Sequence, residues 1–194
     1  MVNGIVNYAT SYLKNLQTLF DNLDLSQLEK IEKTLIYTYK NKNKIFIIGN
    51  GGSASTASHF TCDLAKTVRG HKGESRRLGF QTICLADNIP LITAWSNDVD
   101  YECIFEEQLK NLANKNDVLI AISASGNSPN IINCCKAAKE LGMKIIGFTG
   151  FGGGKLSKIA NMNLIVDSCE YGPVEDTHLI VSHILTFHFQ DKFK

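Results

Sequence analysis

The sequence predicts an α/β protein built on a parallel sheet, and three observations carry that expectation. Short, continuously apolar runs (I-F-I-I at 45–48, V-L-I-A-I at 118–122, I-I-G-F at 145–148) read as strands buried on both faces. Longer segments between them carry the three- and four-residue apolar spacing of helices. Strands therefore alternate with helices, the pattern of a sheet closed by right-handed crossovers. Finally, two of the strand-like runs end in clusters of glycine, serine and asparagine, which pack a core poorly and suit a close approach of backbone to a ligand.

Residues 1–40 read as two helices. The first carries Tyr12, Leu13, Leu16, Leu19 and Phe20 at helical spacing. Asp24 or Ser26 can cap the second, which carries Leu28, Ile31, Leu35 and Ile36. Ile45–Gly49 is the first strand, and a helix follows Ser53 through about Val68. Residues 69–79 are polar and basic and read as an exposed loop. Gln81–Leu85 is a short strand, Ile89–Trp95 a helix entered through Pro90, and Ile104–Leu112 another helix. Val118–Ser123 is a strand that runs through S-A-S-G-N-S-P into a helix ending near Leu141. Lys144–Thr149 is a strand followed by G-F-G-G-G, Leu156–Ile159 a short helix, Asn163–Val166 a strand, and Val174–Phe189 a long final helix.

The 194 residues, 44% hydrophobic and 20% charged, suit one domain with a single large core. A net charge of +1 gives no electrostatic reason to expect nucleic acid or an anionic membrane as partner. No N-terminal signal pattern is present, and no apolar run approaches the roughly 18 residues of a membrane span. The six cysteines lack C-x-x-C spacing and mostly sit in apolar patterns. They read as buried thiols of a cytoplasmic protein rather than a disulfide framework. No linker divides the chain and no short repeat recurs, although G-N-G-G-S after the first strand is echoed by S-A-S-G-N-S after a later one.

Those two loops carry the first chemistry. Gly49, Gly51 and Ala54 fit the dinucleotide pattern G-x-G-x-x-A. That reading needs an acidic ribose ligand about 20 residues on, at a strand end. Glu74 lies in a polar loop and Asp87 lies too far along. The second loop, Ser123 to Ser128, leads into a helix through Pro129, well placed at a first helical turn. Hydroxyls and free backbone N–H groups at a helix N-terminus favour an anion, and a cluster this small suits one phosphate monoester. No nucleotide cofactor is therefore expected.

Titratable residues carry the second. His59 and Asp63, four apart on one helix, share a face and could hold a divalent metal. The last helix carries Glu175, Asp176, His178 and His183 in an otherwise apolar stretch, where charge needs a partner. Glu175 and His183 are separated by about 12 Å of helical rise. They share a ligand only if it lies alongside the helix or the helix start is irregular, whereas Asp176 and His183 align better. His178 reads equally as a structural or a functional group, and His188 is given no role. Asn97-Asp98 is by itself a turn signal that could also meet sugar hydroxyls.

Taken together, the two loops, the H-F-x-x-D run at 59–63, N-D at 97–98 and E-D-x-H-x-x-x-x-H at 175–183 resemble the sugar isomerase (SIS) domain family, and within it the phosphoheptose isomerase branch. The resemblance spans almost the whole chain. It implies a three-layer flavodoxin-like SIS fold, a five-stranded parallel sheet flanked by helices, over residues 1–194, with 1–40 a helical segment for oligomer packing. It also implies a homotetramer with active sites at subunit interfaces, no nucleic-acid or membrane partner, and isomerisation of sedoheptulose 7-phosphate to D-glycero-D-manno-heptose 7-phosphate, the first step toward heptose for surface glycans such as lipopolysaccharide. By motif position, Asn50, Gly51, Gly52, Ser53, Asn97 and Asp98 would contact substrate, with Asp63 and Glu175. Ser123, Ala124, Ser125 and Ser128 would hold the phosphate. His59, Asp63, Glu175 and His183 would take the zinc positions, one ion per subunit, and Asp63 and His183 would be the acid–base pair. The chain departs from the branch at two positions, with Asp63 in place of Glu and Glu175 in place of Gln. Two alternatives remain: a non-catalytic SIS module that senses a sugar phosphate or binds a protein, and an isomerase of another ketose phosphate.

Overall fold

A computed structural model describes residues 4–69 and 78–193. Two N-terminal helices, α1 (Ile5–Asp21) and α2 (Leu25–Lys40), precede the alternating part of the chain. There β1 (Lys44–Gly49) leads to α3 (Gly52–Ala65), and β2 (Gln81–Cys84) to α4 (Ile89–Asp98) and α5 (Glu106–Leu112). β3 (Val118–Ile122) leads to α6 (Pro129–Glu140), β4 (Lys144–Thr149) to α7 (Leu156–Ile159), and β5 (Met162–Ile165) to α8 (Tyr171–Lys192). The five strands form one parallel sheet in the order β2-β1-β3-β4-β5.

Each strand alternates its side chains between two cores. Ile45 and Ile47 of β1 face a layer built from Ile31 and Leu35 of α2, Phe60 and Leu64 of α3, and Val181, Leu185 and Phe189 of α8. Phe46 and Ile48 face the opposite layer, with Leu109 of α5 and Ile131, Cys134 and Cys135 of α6. The apolar runs are continuous because both faces are covered. All six cysteines are free, and burial pushes the Cys84 and Cys135 thiols up to about 12.

Several boundaries move, each for a local reason. Asp24, not Ser26, caps α2, accepting from Ser26 N–H at 3.0 Å. α3 ends at Ala65, and a separate 3-10 turn at Thr67–Arg69 completes the segment expected to run to Val68. α8 begins before Pro173, because the missing N–H of a first-turn proline is one that no helix would use. α4 runs to Asp98, so Asn97 and Asp98 form the last turn of a helix rather than a turn after it. The helix expected from Ile104 begins at Glu106, and a 3-10 turn, Tyr101–Cys103, precedes it. β5 begins one residue earlier, at Met162. Of the expected basic loop, 70–77 lies outside the described residues, and Glu74 with it.

The sheet order sets the site. From β1 the chain runs outward to β2, then returns to β3 on the other side of β1, so the order reverses between β1 and β3. Ligands in such sheets sit beyond the carboxyl ends of the strands at that reversal. Gly49 of β1 pairs with Ile122 of β3, so the two small-residue loops emerge side by side.

Candidate active site

A cleft of about 140 Å³ opens between the loops, lined by Asn50 and Ser53 from the first, Ser123, Ala124, Ser125 and Ser128 from the second, and Tyr171 and Glu175 from the start of α8. The first loop is small because it folds back on its own helix. A side chain at Gly49 would place its Cβ 2.4 Å from the Ser53 carbonyl oxygen. One at Gly52 would meet the Glu175 carboxylate at 2.3 Å. The second loop is braced by its neighbours. Ser123 N–H donates to Phe148 O at 3.0 Å, and Gly150 N–H donates to Ala124 O at 2.8 Å. The Ser123 and Ser128 hydroxyls lie 3.4 Å apart. The N-termini of α3, α6 and α8 meet at this cleft, so their unpaired N–H groups and dipoles favour an anion there. Glu175 opposes them with a carboxylate in the same cleft.

Two turns further along, α3 and α8 present the second group. The helices run parallel, side by side: Gly52 meets Glu175, His59 meets His183, and Gln190 donates to Thr67 O at 2.8 Å. The Nε2 atoms of His59 and His183 lie 2.9 Å apart. Asp63 Oδ2 is 3.4 Å from the first and 3.8 Å from the second. The other oxygen of Asp63 accepts from the Thr67 hydroxyl at 2.9 Å, which turns Oδ2 toward the imidazoles. The ligand atoms of these three residues lie within 4.8 Å of one another. Two imidazole nitrogens and a carboxylate oxygen fit a divalent metal such as zinc. The Asp63 side chain is 13% exposed, and those of His59 and His183 are 49% and 39% exposed, so the group faces outward from the protomer.

The remaining expected residues fall in different places. Glu175 does not join the three, because α8 is continuous from Tyr171 to Lys192 and keeps it two turns away against Gly52. Asn97 and Asp98 are exposed on α4, bonded to each other at 2.7 Å, and do not line the cleft. Asp176 accepts from the Tyr12 hydroxyl at 2.6 Å, tying α8 to α1 and pushing the Tyr12 phenol up to about 12. His188 bonds Glu32 at 2.7 Å and joins α8 to α2.

His178 is structural. It is fully buried, its Nε2–H donates to Thr149 O at 3.2 Å, and its ring lies 5.7 Å from that of Phe148. Its Nδ1 has no partner among the described residues. Burial holds its pKa down to about 4. Between pH 6.5 and 4 the unfolded chain takes up a proton that the folded one refuses, so this contribution is intact above about 6.5 and is lost as pH falls toward 4. The loss is about 3 kcal/mol from this residue. Urea midpoints at pH 7 and pH 4.5 should differ less in His178→Gln than in the unaltered protein. Equal differences would contradict this account.

Sequence reasoning missed three supporting residues. Asn130 and Tyr101 bond Asn50, and Thr67 bonds Asp63. Asn130 and Tyr101 reach their partner from 80 and 51 residues away, and no local pattern marks them.

The family model described as SIS domain matches residues 7–150. A phosphoheptose isomerase of Aliarcobacter butzleri is 38% identical over 90% of this chain and 90% of its own. One from Helicobacter pylori strain P12 is 39% identical over 90% and 89%. Among solved structures, a phosphoheptose isomerase from Francisella tularensis superposes with a TM-score of 0.87 at 28% identity, covering 96% of both chains. One from Neisseria gonorrhoeae gives 0.85 at 26% identity, covering 96% of this chain and 97% of its own.

Proposed function

Because the chain belongs to the SIS domain family and, within it, to the phosphoheptose isomerases, we propose that it is the isomerase that converts sedoheptulose 7-phosphate to D-glycero-D-manno-heptose 7-phosphate. The observation that carries this reading is the spacing of the two groups along α3 and α8. The loop cleft lies level with Gly52 and Glu175, and the imidazole–carboxylate group level with His59 and His183. Seven or eight residues of helix amount to about 10–12 Å. An extended seven-carbon ketose phosphate spans about 9–10 Å from C1 to phosphorus, and a five-carbon one about 7 Å, at the per-bond reach of an extended chain. The heptulose phosphate bridges both groups, and shorter sugars leave one of them empty.

The chemistry follows from that placement. The small-residue loops bind the phosphate, remote from the reacting carbons, and so orient the other end of the sugar. Asp63 takes a proton from C1 while His183 gives one to the C2 oxygen, forming an enediol. His183 then takes the proton of the C1 oxygen as Asp63 returns one to C2, which leaves an aldehyde at C1. His59, Asp63 and His183 would hold one zinc ion per subunit; a nitrogen on zinc has no proton to transfer, so the proton steps above are those of the zinc-free group, and the bound ion would instead polarise the sugar oxygens.

The protein would act in the cytoplasm, at the first step of heptose supply for surface glycans such as lipopolysaccharide. It would do so as a homotetramer with interfacial sites. Ile180, Ile184 and Phe187 form an exposed apolar stripe on α8 beside His183, and Ile5, Val6, Tyr8 and Leu13 expose apolar surface on α1. A second copy of the chain covering these faces would close the outward-facing histidines from water. Light scattering should then give four times the 21.4 kDa protomer mass.

A panel of ketose phosphates followed by NMR, with metal analysis of the same sample, tests the reading. Sedoheptulose 7-phosphate should be turned over at least tenfold more efficiently than ribulose 5-phosphate. Equal efficiency would remove the length argument, and no turnover of any ketose phosphate would favour a sensing module instead.

A further inference from the structure

Among the described residues, the side chain of Asn50 makes three hydrogen bonds. Its Oδ1 accepts from Asn130 Nδ2 at 2.9 Å and from the Tyr101 hydroxyl at 3.1 Å. Its Nδ2 donates one hydrogen to Asn130 Oδ1 at 2.9 Å. A side-chain amide has two acceptor lone pairs and two donor hydrogens. Three of the four are therefore engaged, and among the described residues what Asn50 has left is a single N–H. The orientation of the pair is set from outside it. Asn130, 2% exposed, also accepts from the backbone N–H of Ile131 at 2.9 Å. That backbone group can only donate, so Asn130 must turn its oxygen toward it, and Asn50 must turn its nitrogen toward that oxygen.

We propose that Asn130 and Tyr101 are positioning residues, which lock the amide of Asn50 so that it offers a hydrogen-bond donor to an oxygen of the ligand's phosphoryl end. Asn130 stands at the start of α6, just after the second loop, and Asn50 in the first. The pair thus also fastens the two loops to each other. Tyr101 brings in the chain after α4 as a third support. The proposal rests on the phosphosugar reading of the cleft and adds two residues that contact no substrate.

Inorganic phosphate, measured by titration calorimetry, tests this without any turnover. Asn130→Leu keeps the side-chain size and adds no charge beside the phosphate, but offers Asn50 neither a donor nor an acceptor. It should weaken phosphate binding about tenfold to a hundredfold, the range for a hydrogen bond to a charged group. Tyr101→Phe, at an exposed position that tolerates the change, should weaken it severalfold. In an Asn50→Ala background neither substitution should weaken binding further, because both act through Asn50. A contribution to folding alone, with no part in holding Asn50, would not produce that loss of effect. With sedoheptulose 7-phosphate, KM should rise more than kcat falls. Unchanged phosphate affinity in both variants, or effects that add fully to those of Asn50→Ala, would overturn the proposal alone. Failure of the unaltered protein to bind phosphate would overturn it together with the reading of the cleft.

Discussion

His183→Ala should lower formation of the aldose phosphate by about a thousandfold, within the range for loss of a positioned acid or base. It should leave the protein folded. His183 lies on the exposed side of α8, and among the described residues its nitrogen meets only His59 and Asp63, so no core contact is removed. Asp63→Ala should have a similar effect on turnover, since Oδ2 is the oxygen that faces both imidazoles. The two losses should not add, because residues that act as one unit fail together. Both variants should also weaken binding of added zinc, since each removes one of three donors from the group. The checks are single-turnover NMR, metal content and a thermal melt on the same samples. Full turnover in either variant would remove that residue from the mechanism. Lost turnover with a collapsed melting curve would show instead that the residue supports the fold.

Gly126→Ala should produce the second large effect, on both stability and phosphate binding. Gly126 lies at φ +63°, a region that favours glycine, and a Cβ there would stand 2.2 Å from the backbone oxygen of Gly153. Backbone cannot swing aside as a side chain can, so the second loop and the segment after β4 must separate. That separation strains the bond from Leu156 N–H to Gly126 O at 2.9 Å. A cost of about 2–4 kcal/mol corresponds to a fall in Tm of about 5–12 °C for a chain of this size. Phosphate affinity should fall at least about tenfold as the serines lose their alignment. Gly152→Ala is the control: its φ is +72°, yet nothing lies within 4 Å of the added carbon. It should cost only about 1 kcal/mol of backbone strain. Equal losses in the two variants would mean that conformation alone, not the close approach of the loops, matters at Gly126.

The effects of His183 and Gly126 are read differently from the chain. Glycine and serine at strand ends are visible in the sequence because they break an apolar pattern, and so are histidines on an apolar helix. The partners of these residues are not visible. Gly153 meets Gly126 only because β3 and β4 are neighbours in the sheet. His59 and His183 are 124 residues apart and meet only because α3 and α8 pack in parallel.

The sequence by itself determined the alternation of strands and helices, the two small-residue loops, and the residue types able to bind a phosphate or a metal. These follow from local periodicity and from backbone freedom at single positions, both properties of short stretches of chain. Only the tertiary structure decided which groups come together. It put the loops side by side at the reversal of strand order and joined His183 to His59 and Asp63. It also kept Glu175 two turns away beside Gly52, and locked Asn50 through Asn130. Those outcomes depend on the register of helices packed across the sheet, and that register is set by the fit of the whole core rather than by any one segment.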